Sequence, residues 1–338
     1  MRDTDNILLI GQGATTVTAL ESLAEQFSIS AVFRTPIGID DPVLLLAKQR
    51  GIPVITDVSL AKIEHVVHEV DPACVLISSY DRLIPPHLLQ LSSFINVHYG
   101  PLPRYRGRAN VNWAIINGET EAWVTIHCVD ATLDSGNILL QQSIPIGPHS
   151  TIGELYRDLN EVQRQHLGKT VRRFLNGGNG APQVGSATYC CTRVPDDGDI
   201  DWTASTTDIY ALIRALSDPY PGAYTYLRLQ KLVIVRAAIV ENASHYIGRI
   251  PGRVCGIHRD GAVDVLTGDG VLRIFEIRDV SGTTMPARQL VRSLKETLGL
   301  TKIELLRRLE DLSDKLGHLA ASGMNVEPRP TNLVRKTC

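Results

Sequence analysis

The sequence predicts an α/β protein, a doubly wound parallel sheet followed by a smaller, mostly β domain. Two patterns carry this expectation. In the first half, short apolar runs alternate with stretches of helical period. In the second, strand-sized runs follow one another with turn residues between them. A chain of 338 residues suits two or three domains.

Ile7 to Ile10 is a first apolar run, ended by Gly11-Gln12-Gly13, with a helical pattern through Val17, Leu20 and Leu23 behind it. Ile29 to Phe33 reads as a second strand, Val43 to Gln49 as a helix and Pro53-Val54-Ile55 as a third strand. Ala61 to Val70 fits a helix, and Ala73 to Ile77 a fourth strand. Such alternation implies parallel β-α-β units with right-handed crossovers, a Rossmann-like layering with helices on both faces. After Asn96 the pattern changes: Val124 to Val129 and Ile138 to Gln142 are strand-like around an acidic loop. Thr151 to Leu175 reads as one long helix, with Glu154 three residues after a Thr151 N-cap. Asn176-Gly177-Gly178-Asn179-Gly180 ends it and sets the expected division: a catalytic domain over 1–180, a small β-barrel-like domain over 181–280, and a helical extension with a loose tail over 281–338. Within the second half, Asp208 to Leu216 is a short helix. Strands are expected over Ala223 to Leu227, Leu232 to Val240, Gly252 to Ile257, Ala262 to Thr267 and Gly270 to Ile277. Helices are expected over Ala287 to Leu298 and Thr301 to Leu319.

Composition narrows the function classes. Lys and Arg number 34 against 36 Asp and Glu, so the chain lacks the basic excess of a polyanion binder. None of the six cysteines forms a C-x-x-C pair or keeps metal-site spacing with a histidine, so no metal is expected. The polar start of the chain, with an apolar run of only Ile7 to Ile10, argues against a secretion signal. No run approaches the roughly 18 apolar residues of a membrane span. The expectation is a reduced, cytoplasmic protein.

The chemistry concentrates in Ile95-Asn96-Val97-His98-Tyr99-Gly100-Pro101-Leu102-Pro103-Arg104-Tyr105-Arg106-Gly107. Residues two apart on a strand share a face, so Asn96 and His98 bring an amide and an imidazole together at a strand end, where open α/β sheets bind ligands. Asp130-Ala131-Thr132-Leu133-Asp134-Ser135-Gly136 is a carboxylate-bearing loop able to return an acid toward His98. Taken singly, each has a plainer reading as a structural histidine, a turn asparagine or a loop aspartate.

Together these residues resemble the formyltransferase superfamily that uses 10-formyltetrahydrofolate. The pattern reads Asn96-Val97-His98, then Leu102-Pro103-Arg104-Tyr105-Arg106-Gly107, then Leu133-Asp134-Ser135-Gly136. Trp113 to Glu119, Val124-Thr125-Ile126, Asp199-Ile200-Asp201-Trp202, Ile213-Arg214-Ala215 and Pro219 to Ala223 extend the likeness over residues 7–280 or so. The resemblance implies the formyltransferase fold and transfer of a formyl group to a primary amine. His98, as imidazolium, and Asn96 would stabilise the oxyanion, while Asp134 would hold the His98 ring and take the amine proton. Tyr80, Arg82, Leu83 and Ile84, with Asp130 and Leu133, would bind the folate. Arg104 and Arg106 would line the acceptor side. Gly11 and Gly13 are expected to form a tight turn able to take an acceptor phosphate at a helix N-terminus. The chain departs from the family in Tyr99-Gly100-Pro101-Leu102-Pro103, where a Ser-Leu-Leu-Pro form is common, and in Asn110, where many members carry Pro.

The acceptor is a separate question. Thr35-Pro36-Ile37-Gly38-Ile39-Asp40-Asp41-Pro42 is short and acidic where tRNA-modifying members carry a basic insertion. This demotes nucleic acid, because phosphate contacts dominate its affinity. An amino sugar on a nucleotide is the leading acceptor, methionyl-tRNA the alternative, and the small barrel is expected to serve dimerisation or ligand binding. Three rivals stand beside transfer. Hydrolysis of formyltetrahydrofolate would use the same residues. A folate-binding protein without turnover would leave them idle. An NAD-dependent oxidoreductase is disfavoured by Thr16 at the third glycine position and by Arg34 where a ribose-binding acid belongs. His127 follows Ile126 on a strand and could point at the site, but its first reading is structural; Trp113, Trp123 and Trp202 read as packing anchors.

Overall fold

The computed structural model describes residues 5–13, 15–38 and 40–321; the tail expected over Gly323 to Cys338 lies outside the described residues. The chain divides into two compact units, one of residues up to Gly198 with Tyr210–Ala223, the other of Asp199–Ile209 with the residues from Tyr224 onward.

The first unit follows the alternating pattern. Its elements are β1 (Asn6–Gly11), α1 (Thr16–Ala24), β2 (Ser28–Phe33), α2 (Pro42–Gln49), β3 (Val54–Ile55), α3 (Leu60–Val70), β4 (Cys74–Ser78), α4 (Pro86–Leu91), β5 (Phe94–His98), β6 (Arg106–Gly107), α5 (Asn110–Ile116), β7 (Glu121–Cys128), β8 (Ile138–Pro145), α6 (Ile152–Leu175) and β9 (Tyr189–Cys190). The main sheet has the order β3-β2-β1-β4-β5-β7-β8. Its first five strands are parallel, whereas β7 runs antiparallel to both its neighbours, β5 and β8, so the sheet is mixed.

Strand alternation builds a core on each face. Ile7 and Leu9 of β1 with Ile95 and Val97 of β5 pack against α1, α2, α5 and α6. Leu8 and Ile10 with Phe94 pack on the other face against α3 and α4. Both faces are covered, which is why these strands read as unbroken apolar runs. Helix α6 starts at a complete capping box between Thr151 and Glu154.

Helix α7 (Thr206–Ala215) and strands β10 (Tyr224–Leu227), β11 (Gln230–Ile239), β12 (Val254–Ile257), β13 (Val263–Leu266), β14 (Val271–Arg278) and β15 (Thr284–Pro286) follow. The strands form one antiparallel sheet of order β10-β11-β14-β13-β12, with β15 beside β14. Trp202 is buried in the second unit, and its Nε1 donates to Thr225 Oγ1 at 2.9 Å.

One expected element is absent. Ala287 to Leu298 is not a helix; only Ala287–Gln289 makes a single 3₁₀ turn. The chain beyond it finds better partners than its own turns. Arg292 N donates to the Glu296 side chain at 2.8 Å, Val254 N to Glu296 O at 3.0 Å, and Leu298 N to Gly252 O at 2.8 Å. The segment thus closes onto the edge of the sheet at β12. Helix α8 (Lys302–Ala321) matches the helix expected after it. No helix among the described residues is long and apolar enough to cross a membrane.

Candidate active site

The site grows out of strand β5. Ile95 and Val97 point into one core, and Phe94 into the other. By the same alternation Asn96 and His98 share the Phe94 face. In the β5–β7 ladder Asn96 is the register partner of His127, so a second imidazole stands beside the amide. The loop between β7 and β8 then brings Asp134 to all three. Asp134 Oδ2 lies 3.5 Å from His98 Nδ1, and its Oδ1 lies 3.5 Å from Asn96 Nδ2 and 3.6 Å from His127 Nε2. Asp134 sits in the left-handed region at φ 49°, a costly conformation for a residue with a Cβ. Backbone N–H of Gly107 donates to Asp134 Oδ2 at 2.9 Å and holds the carboxylate in place.

His98 is held chiefly from its other side. Its Nε2 lies 2.8 Å from the carbonyl oxygen of Tyr105 and 2.7 Å from the Asn110 amide nitrogen. Tyr105 has φ 59°, which turns that carbonyl toward the ring. Its hydroxyl donates to Glu119 at 2.8 Å and accepts from Asn117 Nδ2 at 3.1 Å, so both ends of the residue are anchored.

His127 is neutral near pH 7. Its Nδ1 lies 2.8 Å from the Cys128 carbonyl and must carry the hydrogen, leaving Nε2 to accept from Asn96 at 3.1 Å. Burial pushes its pKa down to about 4, and the nearby His98 adds to the depression, while Asp134, the Cys128 carbonyl and Asp130 oppose it.

The other sequence-predicted residues fall as follows. Ile84 is buried in the apolar cluster with Leu88 and Phe94, against which Tyr80 and Val129 also pack, so the loops after β4 and β7 both leave from this cluster. Tyr80 donates its hydroxyl to Val58 O at 2.8 Å. Arg82 and Leu83 are exposed, as is Leu133. Asp130 Oδ1 accepts from Thr132 N at 3.0 Å and from the Ser135 hydroxyl, which folds the aspartate loop on itself. Arg104 pairs with Glu119. Arg106 donates to Gln183 Oε1 at 2.7 Å, and Gln183 Nε2 in turn donates to the carbonyls of Asp134 and Gly136 at 2.8 and 2.9 Å.

Gly11 and Gly13 are small because their own chain fills the space. A Cβ on Gly11 would lie 2.0 Å from the Thr16 side chain, and one on Gly13 would lie 2.4 Å from Ser79 Oγ. Their carbonyls accept from buried Arg34 at 3.0 and 3.3 Å. Arg34 also donates through Nε to Asp41 Oδ2 at 2.6 Å, and both side chains are fully buried. Burial raises the Asp41 carboxyl pKa, but Arg34 and the N–H groups of Ile37 and Val43 outweigh it and hold the group below its usual range. This corrects the reading of Thr35 to Pro42 as a repulsive acidic patch: Asp41 is an internal counter-ion, and Asp40 alone of the two is exposed.

Sequence reasoning reaches three contributors in part or not at all. His127 reads first as structural, with a side chain able to point at the site, and its contact with Asn96 depends on a strand register that no local pattern encodes. Gln183 lies far along the chain and carried no signal. Asn110 stood out only as a departure from the family pattern.

Comparison with known proteins adds the following. The Formyl transferase family model matches residues 39–171, and the model for the formyl transferase C-terminal domain matches residues 194–295. Methionyl-tRNA formyltransferase of Citrifermentans bemidjiense is 31% identical over 260 residues, 75% of this chain and 80% of that protein. The protein of the same name from Geobacter metallireducens is 32% identical over 246 residues, 71% of this chain and 77% of that one. Among solved structures, the N-formyltransferase of Helicobacter canadensis with folinic acid and dTDP-3-aminofucose superposes with a TM-score of 0.61 at 21% identity, covering 79% of this chain and 97% of that one. HypX of Aquifex aeolicus in complex with tetrahydrofolic acid gives a TM-score of 0.59 at 18% identity over 85% of this chain and 47% of that one.

Proposed function

Because this chain belongs to the formyltransferase family, an enzyme family whose formyl donor is 10-formyltetrahydrofolate, we propose that it formylates the primary amine of a nucleotide-linked amino sugar through Asn96, His98 and Asp134. One observation carries the choice of residues. Asp134 is held in a strained left-handed conformation with its carboxylate between His98, Asn96 and the Gly107 N–H. Such strain persists only where the surroundings over-determine it, and it clusters at active sites.

The neutral amine attacks the formyl carbon, forming a C–N bond and placing negative charge on the formyl oxygen. His98 supplies a donor through Nδ1, and Asn96 through the N–H whose 3.5 Å contact to Asp134 is long enough to be given up. Asp134 accepts a proton from the attacking nitrogen. Collapse of the intermediate breaks the bond to the folate nitrogen, which takes that proton from Asp134 and leaves as tetrahydrofolate. The donor fits beside exposed Leu83 and Leu133, apolar side chains suited to a flat ring system, on loops that leave the Tyr80–Ile84–Val129 cluster. Arg104 and Arg106 stand on the acceptor loop, and Gly11 and Gly13 shape the adjoining turn.

The acceptor assignment rests on the stretch from Thr35 to Ala47, which contains no Lys or Arg with which to grip phosphates. A second reading, methionyl-tRNA as acceptor, is favoured by the names of the two relatives quoted above. Tetrahydrofolate release would be followed with 10-formyltetrahydrofolate and a panel of amines containing nucleotide-linked amino sugars and methionyl-tRNA. Sugar-dependent release that His98→Ala abolishes is the expected result. Turnover with methionyl-tRNA alone replaces the acceptor, and formate release without any amine identifies a hydrolase.

A further inference from the structure

Nε2 of His98 meets two groups at hydrogen-bond distance, the Tyr105 carbonyl at 2.8 Å and the Asn110 amide at 2.7 Å. The carbonyl can only accept, so a hydrogen on Nε2 makes that contact attractive and a lone pair makes it repulsive. The Asn110 side chain is buried, and its Oδ1 has no partner while Nδ2 faces the ring. The two ends of an amide have nearly the same shape, and their hydrogen bonds decide which way they point. With Nδ2 toward Nε2, the ring needs a lone pair there, and that lone pair then faces the Tyr105 oxygen. With Oδ1 toward Nε2, one N–H is shared between two oxygens and no lone pairs oppose each other. Asn110, Gly100, Tyr105 and Glu119 also line a small cavity of about 10 Å³. Gly100 keeps the space open, since a Cβ there would lie 2.8 Å from Nε2 and 3.1 Å from the Asn110 amide nitrogen.

We propose that Asn110 is a positioning residue that, with the Tyr105 carbonyl, keeps the hydrogen of His98 on Nε2 and so leaves Nδ1 to face Asp134 and the reacting carbon. Nδ1 is then the nitrogen that changes its proton. With it, the ring donates to the oxyanion; without it, the ring presents a lone pair to Asp134 and cannot. The assignment rests on the role given above to His98, but its test does not.

Histidine-¹⁵N-labelled protein without substrate would be examined by two-bond ¹H–¹⁵N correlation across pH, with the His98 signals identified by their loss in His98→Ala. Nε2 should remain a protonated-type nitrogen throughout while Nδ1 alone moves. Asn110→Ala, which leaves the Tyr105 carbonyl as the one acceptor at Nε2 against the Asp134 carboxylate at Nδ1, should shift part of the population to the opposite tautomer and lower kcat about fivefold to tenfold, the weight of one hydrogen bond, with KM nearly unchanged. Asn110→Asp, which keeps an acceptor oxygen, should restore the Nε2–H tautomer. Wild-type protein with the hydrogen on Nδ1, or an Asn110→Ala spectrum identical to wild type, overturns the proposal. The expected tautomers combined with undiminished activity in His98→Ala would instead overturn the transfer role of His98 and leave the positioning of its ring intact.

Discussion

His127 shows how much one side chain adds that its own neighbourhood in the sequence does not announce. It accepts from Asn96 only as the neutral ring, and burial depresses its pKa to about 4 from an ordinary value of 6.5. A base depressed by folding contributes stability that is fully present above the unfolded value and is lost as pH falls toward the folded one. As pH falls from 6.5 toward about 4 the protein should progressively lose stability through this group. Urea midpoints measured across that window, wild type against His127→Leu, read it directly. Parallel pH dependence of the two proteins would show that the imidazole is not the buried titrating group.

Among the elements, the strands and helices of the first unit were legible because their apolar periods are imposed by two covered sheet faces. Asn96 and His98 could be placed on one face of β5 from spacing alone. Asp134 could not be joined to them by spacing, since a loop of this kind reaches in any direction; the resemblance supplied that link. The helix expected over Ala287 to Leu298 failed for a related reason: its N–H groups bond to Glu296 and to the sheet edge, and those partners are invisible to a local pattern. The aspartate loop has its own requirement. A Cβ on Gly136 would lie 1.9 Å from the Cys128 carbonyl oxygen, a contact that only a backbone shift relieves. That carbonyl also accepts from His127, and the loop carries Asp134. Gly136→Ala should therefore cost about 1–3 kcal/mol of stability and lower kcat/KM on the order of a hundredfold. Gly38→Ala, with nothing within 4 Å of its Cβ, should change neither. Normal kinetics in Gly136→Ala would mean that the loop relaxes without moving the carboxylate.

At the scale of the whole molecule, charge separates the two acceptor readings. The chain carries a formal net charge of -2; after β2 its first cation, Arg34, is buried against Asp41, and no other Lys or Arg precedes Lys48. A small nucleotide-linked acceptor should give a kcat/KM that falls only modestly with salt. A tRNA gripped through six or more phosphates would lose about a thousandfold in affinity between roughly 50 and 200 mM salt. A steep log–log slope for the responding acceptor would sink the small-molecule reading even if an amino sugar also reacts slowly.

The loop from Tyr99 to Gly107 reaches the site through the Tyr105 carbonyl and the Gly107 N–H, which belong to the main chain. Every residue type offers a carbonyl, and every one but proline an N–H. Mutation can therefore rewrite the side chains of Arg104 and Arg106 while the same two main-chain hydrogen bonds stay in place, provided Gly107, at φ 100°, remains glycine. Selection for a new acceptor and preservation of the old reaction then act on different atoms of one loop, and lineages can diverge in what they modify without passing through an inactive ancestor.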